Sequence, residues 1–289
     1  MSYDVLIIGG DSGIGSVLYE YLRSKLRLNV AKTSRRSEKI QKDVFQFDLL
    51  SHSNLWELPT AKCVLIAAAV TNIARCEENL QESQAINTKA PINIAKWCND
   101  HNSKVVFLSS IAVFGNNIDK KSKLKFPDPS TAYGYQKLTA ERGIAESNPN
   151  HLIIRMGKIL PHSFPLFESW IADLQLNRPI KPFSELFVAP LHELMVTNLI
   201  ARLVNSQISG ETFNLTARDS LAYSEIARII AEYLNFDTNL IRAVPSSIDS
   251  LLWKPAIAHM DCKKISQLLE VELPLTKDVV VEYLSLRNI

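Results

Sequence analysis

The sequence is short of the features that mark several common protein classes. Only four cysteines occur in 289 residues, Cys63, Cys76, Cys98 and Cys262, and none forms a CxxC pair or joins histidines at zinc spacing. That excludes a disulfide scaffold and a zinc ribbon, and leaves each cysteine as a small buried apolar residue in a reducing setting. No apolar run approaches the ~20 residues of a membrane helix. The net charge of +2 supplies no field for nucleic acid or an anionic membrane surface. Neither repeats nor low-complexity tracts occur. The chain opens through Tyr3-Asp4 into an apolar strand with no basic leader, so a cytoplasmic protein is expected.

Glycine is scarce as well, at nine residues, yet Gly9, Gly10, Gly13 and Gly15 stand within seven positions. They follow the apolar run Val5–Ile8 and precede Ile14, Val17, Leu18, Tyr21 and Leu22 at helical spacing. Gly9, Gly13 and Gly15 fit a GxxxGxG loop between a buried strand and a helix. There the chain turns sharply, exposes backbone N–H groups and aims a helix N-terminus at negative charge, as a dinucleotide pyrophosphate requires. Glycines also make ordinary strand-to-helix turns, and the strand–loop–helix context argues for the binding role. Asp11 is out of place beside phosphates. Its side chain is expected to point away or to cap the following helix.

Further runs at Asn29–Thr33, Val44–Phe47, Val64–Ala69, Val105–Leu108 and Leu152–Arg155 read as strands. Ile86–Trp97 and Tyr133–Ala145 read as helices between them. This alternation predicts an α/β fold with a doubly wound parallel sheet covered on both faces. The character changes after residue 157. Prolines punctuate Leu160–Pro190, which reads as loop-rich, and helices are expected around Ile226–Leu234 and at Asp278–Leu286. The expected organisation is 1–157 as a nucleotide-binding Rossmann domain. Residues 158–289 form mainly a small substrate lobe over the carboxyl edge of the sheet, partly returning to it.

The end of the second strand chooses the cofactor. An acid there suits the ribose 2′-OH of NAD, and an arginine suits the 2′-phosphate of NADP. The chain has Thr33-Ser34-Arg35-Arg36, so Ser34, Arg35 and Arg36 point to NADP, with NAD the alternative. A solvated basic turn is the bland reading. Ile14 belongs to the glycine loop, Asp48 and Leu49 are placed near the adenine, and Ala67, Ala68 and Ala69 let a cofactor pass closely.

Tyr133 and Lys137 stand four apart and share one helical face. A nearby ammonium and a positive cofactor ring are expected to lower the phenol toward use as an acid or base. Ser110, at the end of the fifth strand, can bridge the phenol and a substrate carbonyl. Tyr135 lacks a lysine four residues on.

These residues carry a resemblance. Val106–Gly115, Tyr133-x-x-x-Lys137, Ala67–Ala69, Asn87 and Ile153–Gly157 are similar to the motifs of extended short-chain dehydrogenases/reductases. The resemblance implies that Ser110, Tyr133 and Lys137 are catalytic, that Lys137 also holds the nicotinamide ribose, and that hydride moves to or from the cofactor. The order of segments in the second half most resembles the dTDP-4-dehydrorhamnose reductase group. That implies reduction of a 4-keto group on a nucleotide-sugar, with homodimers common among relatives. The GxxxGxG loop departs from the GxxGxxG of most extended members. Ile111-Ala112 occupies the place where sugar-nucleotide dehydratases carry Asp-Glu, which argues against dehydration. An NAD-dependent epimerase and a non-catalytic NADP-binding regulatory subunit remain alternatives. Asp119–Lys125 is a basic run that reads as a solvated loop or an attractor of substrate diphosphate. His192 reads as structural, and Trp170 lies in the lobe expected to face substrate.

Overall fold

A computed structural model describes residues 2–116, 126–246, 253–255 and 257–287, the side chains of 52–54 excepted. In chain order, β1 (Tyr3–Ile8), α1 (Gly13–Ser24), β2 (Val30–Ser34), β3 (Val44–Gln46) and β4 (Ala61–Ile66) come first. Then follow α2 (Ile73–Glu78), α3 (Leu80–Gln84), α4 (Ala90–Asp100), β5 (Lys104–Ser110), α5 (Ala132–Ser147) and β6 (His151–Met156). The remainder comprises β7 (Ile159–Leu160), α6 (Pro165–Gln175), β8 (Phe187–Val188), β9 (Leu191–His192) and α7 (Glu193–Val204). It ends with β10 (Glu211–Leu215), β11 (Leu221–Ala222), α8 (Tyr223–Tyr233), α9 (Lys263–Leu268) and α10 (Thr276–Ser285).

Seven strands form one parallel sheet in the order β10-β6-β5-β4-β1-β2-β3. β1 is shared: Val5 stands beside Val30 of β2 and beside Cys63 of β4. The winding reverses at β1, and doubly wound folds open their ligand crevice at the carboxyl ends of the strands at such a point. The central strands are apolar without alternation because helices cover both faces. Val5 through Ile8 are at most 2% exposed. Leu6, Val64, Val105 and Phe107 pack with Ile94 and Ala95 of α4 and Ala140 and Ile144 of α5.

The chain divides into two compact units. One comprises Met1–Val113, Pro129–Arg155 and Thr197–Phe213, and the other Phe114–Asp128, Met156–Val196 and Asn214–Ile289. In the second unit, Phe167 stacks on Trp170 with ring centroids 5.7 Å apart, and Tyr283 and Tyr223 meet those two rings edge-on. Two short ladders, β8 with β11 and β7 with β9, complete it.

Two local readings need correction. The expected helix Ile86–Trp97 starts earlier, since α3 runs through a π-helical turn at Ala85–Lys89 into α4. The stretch read as loop-rich contains α6. Pro165 sits in its first turn, where a proline is tolerated because that N–H has no helical partner, and Phe167, Trp170, Ile171 and Leu174 form its buried face. All four cysteines are free. Among the described residues, no helix is long and apolar enough to cross a membrane, and no group of acids, histidines and cysteines has metal-binding geometry.

Candidate active site

The glycine loop turns at Gly9, whose φ of +88° lies in the left-handed region that favours glycine. A Cβ there would lie 2.5 Å from the Ala68 Cβ, and one on Gly15 would lie 2.3 Å from the Gly9 carbonyl oxygen. Those two glycines, six apart, let strand, loop and helix close on one another. Between them Ser12 caps α1: its hydroxyl donates to the Gly9 oxygen at 2.8 Å and accepts from the Gly15 N–H at 3.1 Å. Gly13 has open space where a Cβ would stand. The tight positions therefore follow a GxxGxxG spacing with serine in the middle place. Thr33, missed in the sequence, fixes the turn by accepting from the Gly9 N–H on its side chain and from the Gly10 N–H on its carbonyl, both at 3.0 Å.

Asp11 does not cap α1. Its Oδ2 accepts from the Ser34 hydroxyl at 2.5 Å, and Lys39 Nζ lies 3.3 Å from its Oδ1. Burial raises this carboxyl, but the hydrogen bonds from Ser34 and Lys39 and the charges of Lys39 and Lys32 outweigh it and hold the group below its ordinary value. Ser34 also accepts from the Arg36 N–H at 3.0 Å. Arg35 and Arg36 are exposed.

A cleft of about 610 Å³ opens at this edge. Of the residues singled out in the sequence it gathers Gly9, Asp11, Ser34, Arg35, Arg36, Asp48, Leu49, Ala68 and Ala69, and it adds Ser12 and the segment Val70–Asn72. Gly13, Ile14, Gly15 and Ala67 do not line it, and neither do Ser110, Tyr133 and Lys137. β4 ends at Ile66, so the three alanines lie beyond the strand, where Ala67 and Ala68 N–H groups both donate to the Ile8 oxygen, at 2.9 and 3.1 Å.

Ser110, Tyr133 and Lys137 come together at the end of β5. Successive residues of a strand face opposite ways, and the two serines divide accordingly. Ser110 acts on the Tyr133 phenol to lower it, and its hydroxyl accepts from the Ala112 N–H at 3.2 Å, while Ser109 donates to buried Glu141 at 2.5 Å. Thr131 caps α5 by accepting from the Gly134 N–H at 3.1 Å. A Cβ on Gly134 would lie 2.4 Å from the Ala112 oxygen, so this glycine lets the first turn of α5 close on the turn after β5. Tyr135 points outward and is 57% exposed.

The electrostatics depart from expectation. Burial pushes the Tyr133 phenol up to about 12, against the lowering effect of Ser110. The phenol holds its proton at neutral pH. Lys137 is 1% exposed. Its Nζ donates to the Leu108 oxygen at 2.7 Å and lies 3.7 Å from the centroid of the Phe107 ring. Burial lowers this amine to about 7, with Glu141 pulling the other way.

Two networks hold the site. Asn87 accepts from the Val70 N–H at 2.8 Å, and its amide donates to the Val70 oxygen at 3.0 Å and to the Gln136 side chain at 2.8 Å. Glu141 receives Arg155 through both carboxylate oxygens, with Nη2–Oε2 at 2.6 Å. Trp170 is buried among aromatic rings. His192 is buried too, and its Nδ1 accepts from the Leu194 N–H at 3.3 Å. The basic run Asp119–Lys125 lies outside the described residues.

The chain is similar to known proteins along nearly its whole length. It is 24% identical over 283 residues to a probable low-salt glycan biosynthesis reductase of Haloferax volcanii, covering 94% of each. It is 21% identical over 276 residues to methionine adenosyltransferase 2 subunit beta of Mus musculus, covering 91% of this chain and 82% of that one. A dTDP-4-dehydrorhamnose reductase from Bacillus anthracis, solved in complex with NADP, shares the fold with a TM-score of 0.81 at 17% identity, over 99% of this chain and 98% of that one. The profile described as RmlD substrate binding domain matches residues 3–288. With the doubly wound sheet and the extended short-chain dehydrogenase/reductase resemblance, that match places the chain in the RmlD substrate-binding domain family.

Proposed function

We propose that the chain is a reductase that uses NADPH, with NADH as the alternative, to reduce the 4-keto group of a nucleotide-activated sugar through Ser110, Tyr133 and Lys137. The observation that carries this reading is the buried, proton-bearing Tyr133 phenol at the end of β5, with Ser110 acting on it and Lys137 one turn further along α5. The Haloferax relative, a probable glycan biosynthesis reductase, and the Bacillus neighbour, a reductase in complex with NADP, support it.

The residues fit a dinucleotide. Gly9 and Gly15 leave no room for side chains in the loop. The α1 N-terminus stands behind it, the small residues Ala68 and Ala69 line the cleft, and Arg35 and Arg36 lie at its edge with no ion pair to their guanidinium groups among the described residues. When bound, the reduced nicotinamide supplies the hydride. Tyr133 donates its proton to the substrate oxygen as negative charge develops there. Ser110 donates to the same oxygen and orients it. Lys137 stands one helical turn away, with a proton it can give up near neutral pH to restore the phenol.

The test is Tyr133→Phe, assayed by NADPH absorbance with a panel of dTDP- and UDP-linked 4-keto sugars. Turnover is expected to fall by about 10²–10⁴ with dinucleotide binding retained. Unchanged turnover sinks the mechanism. The Mus musculus relative favours a second reading, a non-catalytic dinucleotide-binding subunit. No turnover of any keto-sugar by the wild type, together with tight dinucleotide binding, would bring that reading forward.

A further inference from the structure

The acid that the end of β2 lacks in sequence is present there in space. Asp11 comes from the glycine loop, yet Ser34, the last residue of β2, donates to its Oδ2 at 2.5 Å, and Lys39 lies 3.3 Å from its Oδ1. Asp11 lines the same cleft as Arg35 and Arg36. In doubly wound nucleotide-binding folds this corner separates the two nicotinamide dinucleotides. A carboxylate accepts from the free 2′-OH of the adenosine ribose, and a guanidinium pairs with a 2′-phosphate. Here both groups occupy one corner. A fixed carboxylate near a 2′-phosphate opposes it by like-charge repulsion and offsets part of what the arginines attract.

We infer that Asp11 is a specificity-determining residue, which keeps NADH a competent ligand beside NADPH by offering an acceptor to the 2′-OH and opposing the 2′-phosphate drawn by Arg35 and Arg36. The inference rests on reading the cleft as a nicotinamide-dinucleotide site. Ser34 acts through Asp11: its hydroxyl is spent on the carboxylate and on the Arg36 N–H, and it fixes the acid at the strand end.

The experiment is a fluorescence titration of the full, nucleotide-stripped chain with NADH and with NADPH, for the wild type and Asp11→Asn. Asparagine keeps the size and an acceptor for Ser34 while removing the charge. Wild-type dissociation constants are expected within roughly tenfold of each other, and Asp11→Asn is expected to move their ratio toward NADPH by roughly tenfold. Arg36→Ala is expected to move it toward NADH. If both dinucleotides bind Asp11→Asn in the wild-type ratio, the assignment of Asp11 is overturned and the dinucleotide reading stands. If the wild type binds neither, both are overturned. The wild type also answers without any variant, through displacement of bound NADH by 5′-AMP and by adenosine 2′,5′-bisphosphate. A 2′-phosphate that tightens binding by less than about tenfold supports the assignment, and a larger gain overturns it.

Discussion

Asn87 and Gln136 meet across 49 positions of sequence, the Asn87 amide donating to the Gln136 side-chain oxygen at 2.8 Å. Asn87 also holds both backbone groups of Val70. One fully buried side chain therefore ties the cleft segment after β4 to the helix that carries Tyr133 and Lys137. Asn87→Ala takes this partner from the Val70 N–H and from the Gln136 side-chain oxygen, and leaves the Val70 oxygen the Cys76 thiol. A loss of about 1–3 kcal/mol is expected for each group left buried without a partner. Urea unfolding would measure it, and the same variant is expected to bind dinucleotide more weakly because Val70 lines the cleft. Unchanged stability and binding would show that the segment is held by other contacts.

The lowered Lys137 amine links stability to pH. Its value is about 7 in the fold and 10.5 in its ordinary state. Between those limits the unfolded chain binds more protons, so stability rises with pH at up to about 1.4 kcal/mol per pH unit. The cost of burying this lysine is fully felt below about pH 7 and fades as pH rises toward 10.5. Lys137→Met removes the titration. Its melting temperature relative to the wild type is expected to be higher at pH 7 than at pH 10. A difference constant across that window would mean that the amine is not shifted.

Gly134→Ala and Gly13→Ala separate packing from helix propensity. A Cβ at Gly134 meets the Ala112 oxygen at 2.4 Å, and one at Gly13 meets nothing. The first is expected to push the start of α5 away from Ser110. A displacement of that kind at a reacting group costs about 10²-fold in turnover. The second is expected to leave the protein as stable as before or more so, by up to about 1 kcal/mol, since alanine is the better helix former. Denaturation curves and turnover measured side by side decide both.

Glu141→Gln tests the buried ion pair with Arg155. The two side chains are 4% and 15% exposed. Neutralising one partner of a buried pair costs about 3–5 kcal/mol. Thermal melting is the measurement, and a loss below about 1 kcal/mol would mean that water reaches the pair.

The legible part of this chain was the part written as local pattern. Val5–Ile8, the glycine loop and Tyr133-x-x-x-Lys137 announce strand, turn and helix face through spacing, and the alternation of strands with helices gives the parallel, doubly wound sheet. The illegible part depends on distance. Nothing local reports that Asp11 would reach Ser34, 23 positions on, or that Asn87 would find Gln136. Pro165 misled because a proline that opens a helix has the same letter as one that ends it. The Tyr133 phenol rises where spacing suggests a fall because burial, which sequence spacing does not measure, sets the direction, and the Lys137 charge is not among the effects that lower it.

Tyr133, Lys137 and Glu141 succeed one another at four-residue steps along α5. Each step advances about 6 Å along the axis, so phenol, amine and carboxylate stand on a rigid ruler whose last mark is clamped by Arg155 and Ser109. The three side chains are thereby denied independent travel. On the proposed reading, whatever adjustment a substrate needs must be made by the substrate, which is brought to the ruler and measured against it.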